Sequence, residues 1–437
     1  MNRFAMKKIL CFLILFLPAA AWAEVYTLSQ CIDTAYANSI DVRMGQLTNQ
    51  QRQLLYRQAW YNLSPNISGY VNESLGFGRS TGVDNIIRAQ NIANTNMGVS
   101  ASIVLFDGLA MKFNIDEAKA SMLASEANME AVRRNLALNI TSMYLEVLLK
   151  KELVVVAEAQ LNETELQMER TRAKVEAHRL PEGELYEIQA QYSKEQYQLL
   201  QAKNDLRIAL LNLTQAMDIP YDEDFDIIVP SEEELEGPLL PEREQVWQTA
   251  LNNRPEIREA EYTLQAEQTA LKGQKAAYSP QLSAQAGVST GYYHQMGASN
   301  TAFGKQLEDN FTTNVSVSLS IPIYNRMQTP TQVKNQMIAI ENARLKLELQ
   351  KKSIRKEIDQ AYYNALAAQS EKMAAQQEAR ATAEAARYAS EKYDAGRGTM
   401  YEYSQAKQNH LQAVSSQLRA RYNYLFKVRI LEYYMGL

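Results

Sequence analysis

Apolar residues recur every seven positions along two long stretches of the chain. The first stripe is Ile140, Val147, Val154, Leu161, Met168 and Val175, and the second is Leu185, Tyr192, Leu199, Leu206 and Leu213. A strict seven-residue apolar repeat predicts helices that supercoil left-handedly about each other. The interruption at Pro181 predicts a tight reversal, so the two stripes are expected to face each other in an antiparallel helical hairpin.

Two segments of the chain contain no Gly and no Pro. They comprise residues 109–180 and 331–395, which are 72 and 65 residues long. A helix of this length would extend roughly 100 Å, because each residue adds 1.5 Å. Such a rod predicts a coiled coil, a fibre or the wall of a tunnel. Shorter helices are predicted over residues 28–60 and 243–277, before Ser64-Pro65 and Ser279-Pro280.

Four further stretches alternate apolar and polar residues with period two, as strands do. The apolar positions are Ile67, Val71, Leu75 and Phe77 (with Glu73 on the same face); Met97, Val99, Ala101, Ile103 and Leu105; Leu282, Ala284, Ala286 and Val288; and Val315, Val317, Leu319, Ile321 and Ile323. The opposite faces of the last three carry Ser, Asn, Gly and Gln, as the lumen wall of a transmembrane barrel does. Alternation alone also fits an ordinary two-faced sheet packed on a soluble core.

The chain contains one structural unit written twice. Residues 98–106 resemble residues 316–324 at an offset of 218, and Ser64-Pro65 resembles Ser279-Pro280 at an offset of 215. We predict a first repeat over residues 24–217 and a second over residues 245–437. The connector between them, residues 218–244, has eleven acidic residues and one basic residue. It is predicted to contain little regular helix.

The number of strands has a consequence for assembly. Four strands form an open sheet, and open edges are not tolerated in lipid. Because bacterial barrels have at least about eight strands, several chains would have to share one barrel. Two chains would give eight strands and three would give twelve. A barrel wide enough to continue a helical tube favours three.

The N-terminus predicts export. Lys7 and Lys8 precede a short apolar run, and Ala21-Trp22-Ala23 forms a small-x-small cleavage site. Residues 1–23 are therefore predicted to be a signal peptide, the alternative being an uncleaved anchor. Its removal takes three positive charges and moves the formal net charge from −5 to −8. A mildly acidic chain without basic clusters argues against nucleic acid as a partner.

Catalytic and metal-binding patterns are weak in this sequence. The three histidines, His178, His294 and His410, are far apart in the pattern, so a His-rich metal site is not expected. No nucleophile elbow and no zinc-binding helix motif occurs in the sequence. We predict no enzymatic activity, no cofactor and no metal.

The chain resembles the TolC family of outer-membrane efflux proteins from residue 24 to residue 437. The resemblance rests on the paired Ser-Pro junctions, on Leu105-Phe106-Asp107-Gly108 and Ile323-Tyr324-Asn325, on Tyr393-Asp394-Ala395-Gly396, and on residues 420–425. It implies a mainly α-helical homotrimer with four β-strands per protomer in a shared twelve-stranded transmembrane β-barrel, and a long α-helical barrel in the periplasm. It also implies an outer-membrane exit duct for tripartite efflux or type I secretion. The partners would be a periplasmic adaptor, an inner-membrane pump and outer-membrane lipid.

The family's hairpin tips dock the adaptor and form the closed entrance. The resemblance assigns the docking role to Arg179, Leu180, Pro181, Gly183, Gly396, Arg397, Gly398 and Thr399, and the periplasmic gate to Glu184, Tyr393, Glu402 and Gln405. The second copy keeps the family's tip motif in Gly396, Thr399 and Glu402, but it has Gly398 where a family member has the gate arginine. The first copy departs further, with His178, Pro181 and Glu184 in those three places.

Two classes of function remain open at this point. One is the passive export duct, and the other is a structural periplasmic coiled-coil protein or adaptor. For Glu184 and Glu402 the alternative to an acidic ring on a threefold axis is a solvated carboxylate on an exposed helix. For Gly396 and Gly398 the alternative is a simple helix stop.

Overall fold

The computed structural model describes residues 25–81, 85–89, 91–230 and 239–436. The predicted signal peptide, residues 1–23, lies outside the described residues, as do residues 231–238 of the connector. Most of the described chain is helical. The helices are α1 (Leu28–Asn38), α2 (Ile40–Tyr61), α3 (Ala110–Glu176), α4 (Glu182–Ala216), α5 (Arg243–Asn253), α6 (Pro255–Ala276), α7 (Phe303–Asp309), α8 (Gln328–Asp394) and α9 (Met400–Met435).

The described part of the chain also contains eight strands. They are β1 (Val25–Tyr26), β2 (Asn66–Gly76), β3 (Arg79–Thr81), β4 (Ile87–Ala89), β5 (Ile92–Phe106), β6 (Asp226–Ile227), β7 (Gln281–Gln295) and β8 (Thr312–Ser320). The two Gly- and Pro-poor segments form α3 and α8, each 67 residues long. The predicted long helices are thereby confirmed. Among the residues that the structure describes, no helix is both long and apolar enough to cross a bilayer.

The chain divides into two compact units. Unit 1 contains the described residues of Met1–Ser39, Ala137–Pro238 and Ala368–Phe426. Unit 2 contains the described residues of Ile40–Leu136, Leu239–Ala367 and Lys427–Leu437. Each unit takes segments from both predicted repeats.

Unit 2 contains a four-stranded antiparallel sheet in the order β2-β5-β7-β8. Directly opposite residues share a face, and one such row runs Ile67, Ala101, Ala286, Val315 across the four strands. The apolar side chains of the two edge strands are exposed: Ile67 by 70% and Val315 by 75%. The four predicted strands therefore form a single sheet with one common apolar face.

The opposite face of the sheet is polar. One row across it runs Ser68, Ser100, Gly287, Asn314. The Ser68 and Ser100 hydroxyls lie 3.2 Å apart, within hydrogen-bond distance. The alternation in the sequence thus matches the pleat along all four strands.

The predicted strand ends were wrong at three apolar positions. Phe77 follows the end of β2, and Ile321 and Ile323 follow the end of β8 at Ser320. Ser320 pairs with Gln281, the first residue of β7, so β8 has no partner strand beyond it, and Pro322 has no N–H to extend the ladder. Near Leu105, β5 also shifts register against β7 between Val104 and Phe106.

Strand β7 continues beyond its partner β8. Thr312, the first residue of β8, pairs with Ser289, whereas β7 runs on to Gln295. Side-chain amides take over the backbone groups on that edge at every second residue. Asn310 donates to the Gly291 carbonyl, Gln306 bonds to both backbone groups of Tyr293, and Asn300 bonds to both backbone groups of Gln295, all at 2.7–3.0 Å.

The two moderate helices predicted before the sheet are each broken. Ser39 separates α1 from α2, and Arg254 separates α5 from α6, again at the offset of 215. Both residues have extended backbone, with ψ of 126° and 123°. At Arg254 the cause is Pro255, because a residue before proline is driven out of the helical region.

The core of unit 2 lies where α5 and α6 meet α8 and the end of α9. Its buried apolar residues are Val246, Ala250, Ile257, Ile354, Ile358, Ala361, Ala365 and Leu431. In unit 1, β1 pairs in parallel with β6. Lys151 of α3 donates to both carboxylate oxygens of Asp226 at 2.6 and 2.7 Å, which ties the connector to the long helix.

The predicted apolar stripes were only partly right about burial. Ile140, Val147 and Val154 are buried, but Leu161, Met168 and Val175 are half-buried. In that part of α3 the buried residues are polar instead: Thr164, Gln167 and Thr171. On α4, the half-buried positions are Leu185, Tyr192, Leu199 and Leu206, while Ile188, Glu195, Ala209 and Leu213 are buried.

Candidate functional site at the hairpin tips

The first reversal, between α3 and α4, contains a residue with left-handed backbone conformation. His178 has φ of 57°. Its N–H donates to the Val175 carbonyl at 2.8 Å, and the N–H of Arg179 donates to the Lys174 carbonyl at 2.9 Å. This pair of bonds is the Schellman pattern, which satisfies the last carbonyls of a helix.

The second reversal, between α8 and α9, repeats this geometry at the offset of 218. Gly396 has φ of 67°. Its N–H donates to the Tyr393 carbonyl and the N–H of Arg397 donates to the Lys392 carbonyl, both at 2.9 Å. The two tips therefore share one backbone design, although the first uses a histidine where the second uses a glycine.

The helices that leave the two tips begin differently. Thr399 precedes α9, and its hydroxyl oxygen accepts a hydrogen bond from the N–H of Glu402 at 3.2 Å. This is the N-cap contact expected of threonine. Pro181 occupies the matching position before α4 and provides no side-chain cap. Exposed residues at the first tip include Arg179 and Gly183, while Leu180 is half-buried.

Glu402 forms an ion pair across the second reversal. Its Oε2 accepts from the Lys392 ammonium at 2.8 Å, and both side chains are about half exposed. The hydrogen bond from Lys392 lowers the pKa of Glu402 below its usual value, so the carboxylate is ionised at neutral pH. A Cβ on Gly398 would lie 3.2 Å from Lys392 Cγ and 3.4 Å from Glu402 Oε2. The glycine therefore leaves space for this ion pair.

Tyr393 connects the second hairpin with the first. Its side chain is buried, and its hydroxyl donates to Glu184 Oε2 at 3.0 Å. Burial raises the pKa of Tyr393 to about 12, with the Glu184 contact adding to the shift, so the phenol stays neutral. The ring stacks on Tyr403 with centroids 5.8 Å apart, and Lys174 Nζ lies 5.5 Å from its centroid.

A chain of polar contacts continues from Tyr403 into the interior of unit 1. The Tyr403 hydroxyl donates to Glu163 at 3.3 Å, and Glu163 lies 3.4 Å from the Lys407 ammonium. Lys407 donates to the Thr164 hydroxyl at 2.9 Å, and that hydroxyl donates to Glu195. Sequence reasoning missed these residues, because Glu163, Thr164 and Glu195 lie between the positions of the apolar stripes, where polar residues are expected to face solvent.

Gln405 and Arg397, two further residues predicted for the site, form no hydrogen bond or ion pair with the Tyr393 or Glu184 side chain among the described residues. Gln405 donates to Asn409 on its own helix at 3.0 Å. Arg397 is exposed and, within the described part of the chain, forms no ion pair. Of the four predicted gate residues, the structure thus brings together Glu184 and Tyr393, whereas Glu402 pairs with Lys392.

Comparison with known proteins finds one family and several related structures. A sequence profile of the outer membrane efflux protein family matches residues 31–218 and 246–437. The outer membrane efflux protein BepC of Brucella suis biovar 1 (strain 1330) is 22% identical over 288 residues, which cover 64% of this chain and 60% of BepC. This chain therefore aligns with less than two thirds of that relative's length.

Two solved structures illustrate the likeness in fold. The chain superposes on CusC with a TM-score of 0.78 and 18% identity, over 93% of this chain and 91% of CusC. It superposes on the outer membrane channel CmeC of Campylobacter jejuni with a TM-score of 0.76 and 18% identity, over 94% of this chain and 85% of CmeC. The fold is therefore that of these channel proteins.

Proposed function

Because the chain belongs to the outer membrane efflux protein family, we propose that it is the outer-membrane exit duct of a tripartite efflux or type I secretion system. Substrates would pass through it passively, from a periplasmic adaptor and an inner-membrane pump to the outside. It would act without catalysis. The long helices would project into the periplasm.

The observation that carries this proposal is the chemistry of the four-stranded sheet. One face exposes apolar side chains on all four strands, interrupted by Glu73 and Thr95, and the other carries Ser, Asn and Gly. A soluble sheet would bury its apolar face on a core, whereas a lipid-facing wall needs apolar residues outside and polar residues inside. The exposed apolar face therefore favours a duct over the alternative of a periplasmic coiled-coil protein or adaptor.

The two edges of this sheet support an oligomer. Among the described residues, no further strand pairs with the free edge of β2 or of β8. An unpaired edge leaves backbone N–H and C=O groups without partners, which is costly in lipid. We propose that β8 of one copy pairs with β2 of the next, so that three copies close a twelve-stranded barrel.

The tip geometry supports a docking and gating role. Both tips are compact reversals held by the same backbone hydrogen bonds, and their loop residues are mostly exposed. We propose that Arg179–Gly183 and Gly396–Thr399 contact the adaptor. Tyr393, Glu184, Glu402 and Gln405 would line the closed entrance around a threefold axis.

Native mass spectrometry of the detergent-extracted protein tests the assembly. We expect a trimer whose migration in gels changes on heating, and we expect it to fractionate with the outer membrane. A folded monomer in detergent, or recovery in the soluble periplasmic fraction, would contradict the proposal. Outer-membrane fractionation alone would not separate a duct from a peripheral protein, so the trimer mass is the deciding measurement.

A further inference from the structure

Two charged side chains are buried in unit 1 where three helices meet. Glu195 of α4 is 2% exposed and Lys407 of α9 is 6% exposed. They are joined through Thr164 of α3, which is fully buried. The Thr164 hydroxyl accepts from Lys407 at 2.9 Å and donates to Glu195.

The remaining hydrogen-bonding capacity of the buried carboxylate is also used. Glu195 Oε1 accepts from the side-chain amides of Gln160 at 3.2 Å and Gln191 at 2.6 Å. The positive charge of Lys407 is also paired with Glu163, whose Oε2 lies 3.4 Å from Lys407 Nζ. Buried charges are tolerated only when other groups compensate them. Here Lys407 pairs with Glu163, and Glu195 is held by hydrogen bonds from three neutral side chains.

A buried polar cluster contributes differently to folding stability than a layer of apolar residues does. A buried ion pair adds little net stability compared with apolar residues of similar volume, because both charges lose their hydration. A single polar layer in a helical assembly can instead select one register, since any sliding leaves a buried charge unpaired. Along α9, a slip of one turn would move Lys407 by about 5 Å from Thr164.

We propose that Glu195, Thr164 and Lys407 form a register lock, which fixes the axial position of α9 against the α3–α4 hairpin. The lock also positions the predicted gate. Lys407 holds Glu163, Glu163 accepts from Tyr403, and Tyr403 stacks on Tyr393, which reaches Glu184. That consequence for the gate rests on the proposed function, whereas the lock itself does not.

Cross-linking in the full-length detergent-extracted protein measures the axial position of α9 against the α3–α4 hairpin. Lys194 Nζ donates to Gln408 Oε1 at 3.0 Å, so cysteines at 194 and 408 should be joined by a short bismaleimide. Gln412 lies one turn further along α9, and cysteines at 194 and 412 report a slipped register. Each single-cysteine variant serves as a control, and Cys31 is fully buried.

The decisive comparison uses two substitutions at one position. Thr164→Val keeps the size of the side chain but removes the hydroxyl, whereas Thr164→Ser keeps the hydroxyl. We expect Thr164→Val to raise the 194–412 product severalfold over wild type, and Thr164→Ser to leave it at the wild-type level. Equal behaviour of the two variants would overturn the register lock.

Replacing all three residues by apolar ones distinguishes an effect on helix register from an effect on stability. The triple variant Thr164→Val, Glu195→Leu, Lys407→Met should melt at the wild-type temperature or above it, yet form both cross-links. A triple variant that gives only the 194–408 product would overturn the proposal. Resting conductance in planar bilayers is measured in parallel. Slipped cross-links without a change in conductance would leave the lock intact and contradict the proposed gate instead.

Discussion

The hydroxyl of Tyr393 donates a 3.0 Å hydrogen bond to the carboxylate of Glu184, 209 residues earlier in the chain. Tyr393 belongs to the last turn of α8, and Glu184 belongs to the first turn of α4. This contact joins the ends of the two hairpins through a partly buried side-chain hydrogen bond. It is one of several direct contacts between the two hairpins, together with Lys174 over the Tyr393 ring and the bond from Tyr403 to Glu163.

Tyr393→Phe removes the donor of this bond and keeps the ring. We expect a loss of about 1 kcal/mol of stability, because the Glu184 carboxylate loses one hydrogen bond at a partly exposed position. We also expect a higher resting conductance in planar bilayers. Tyr388→Phe is the matched control, since Tyr388 is exposed on the same helix. Wild-type conductance in Tyr393→Phe would contradict a closing role for this pair.

The raised pKa of Tyr393 predicts a dependence on alkaline pH. The folded protein favours the neutral phenol, so its contribution to stability is complete below pH 10.0 and is lost as the pH rises through about 12. Melting temperatures measured across this window should fall more steeply for wild type than for Tyr393→Phe. Parallel curves for the two proteins would show that the phenol does not contribute.

The Lys392–Glu402 ion pair predicts opposite effects of two substitutions. Glu402→Gln removes a carboxylate whose pKa is lowered by Lys392, so cation selectivity and block by divalent ions should both weaken. Lys392→Met leaves that carboxylate unpaired and should strengthen both. Reversal potentials in asymmetric salt measure the selectivity. If both variants select like wild type, Gln405 and Glu184 become the next positions to examine.

The positive φ at residue 178 of one tip and residue 396 of the other predicts stability changes of opposite sign for two substitutions. His178→Gly should stabilise the protein by about 1 kcal/mol, because glycine adopts positive φ without the Cβ penalty. Gly396→Ala should destabilise it by a similar amount for the same reason. Denaturant unfolding measures both. A stabilising Gly396→Ala would mean that residue 396 does not have a positive φ.

Gly183 offers a way to test adaptor docking without disturbing the chain. No atom lies within 4 Å of where its Cβ would be, so a large side chain there has open space. Gly183→Trp should therefore fold and assemble normally but block docking and abolish export, while Gly183→Ala should preserve export. Normal export by a correctly assembled Gly183→Trp variant would argue against contact between this tip and an adaptor.

Sequence reasoning predicted the architecture because the relevant signals are periodic and local. The absence of Gly and Pro predicted α3 and α8, and alternation predicted the four strands of one sheet. Family membership is confirmed by a match to residues 31–218 and 246–437. The break at Arg254 could also have been read from Pro255, whereas the break at Ser39 has no such signal. The docking and gating roles of the tip residues stay predictions.

The interior of the tip region was harder to predict, because its partners are distant in the sequence. Glu195 meets Lys407 through Thr164, and none of these three is close to another along the chain. A heptad count treats polar residues as solvent-facing, so it pointed to Leu161 and Met168 instead of Thr164. Only the packing of three helices shows which face is inside.

The amide side chains along the end of β7 set a limit on how the loop after it can be altered. Asn300, Gln306 and Asn310 supply, from a short connecting segment, the hydrogen bonds that a longer β8 would otherwise provide. A peptide tag inserted at Gly297 would leave all three in place, whereas deleting residues 298–311 would expose a bare strand edge. Insertion at Gly297 should therefore leave the thermal stability of the protein unchanged, whereas shortening the segment should lower it.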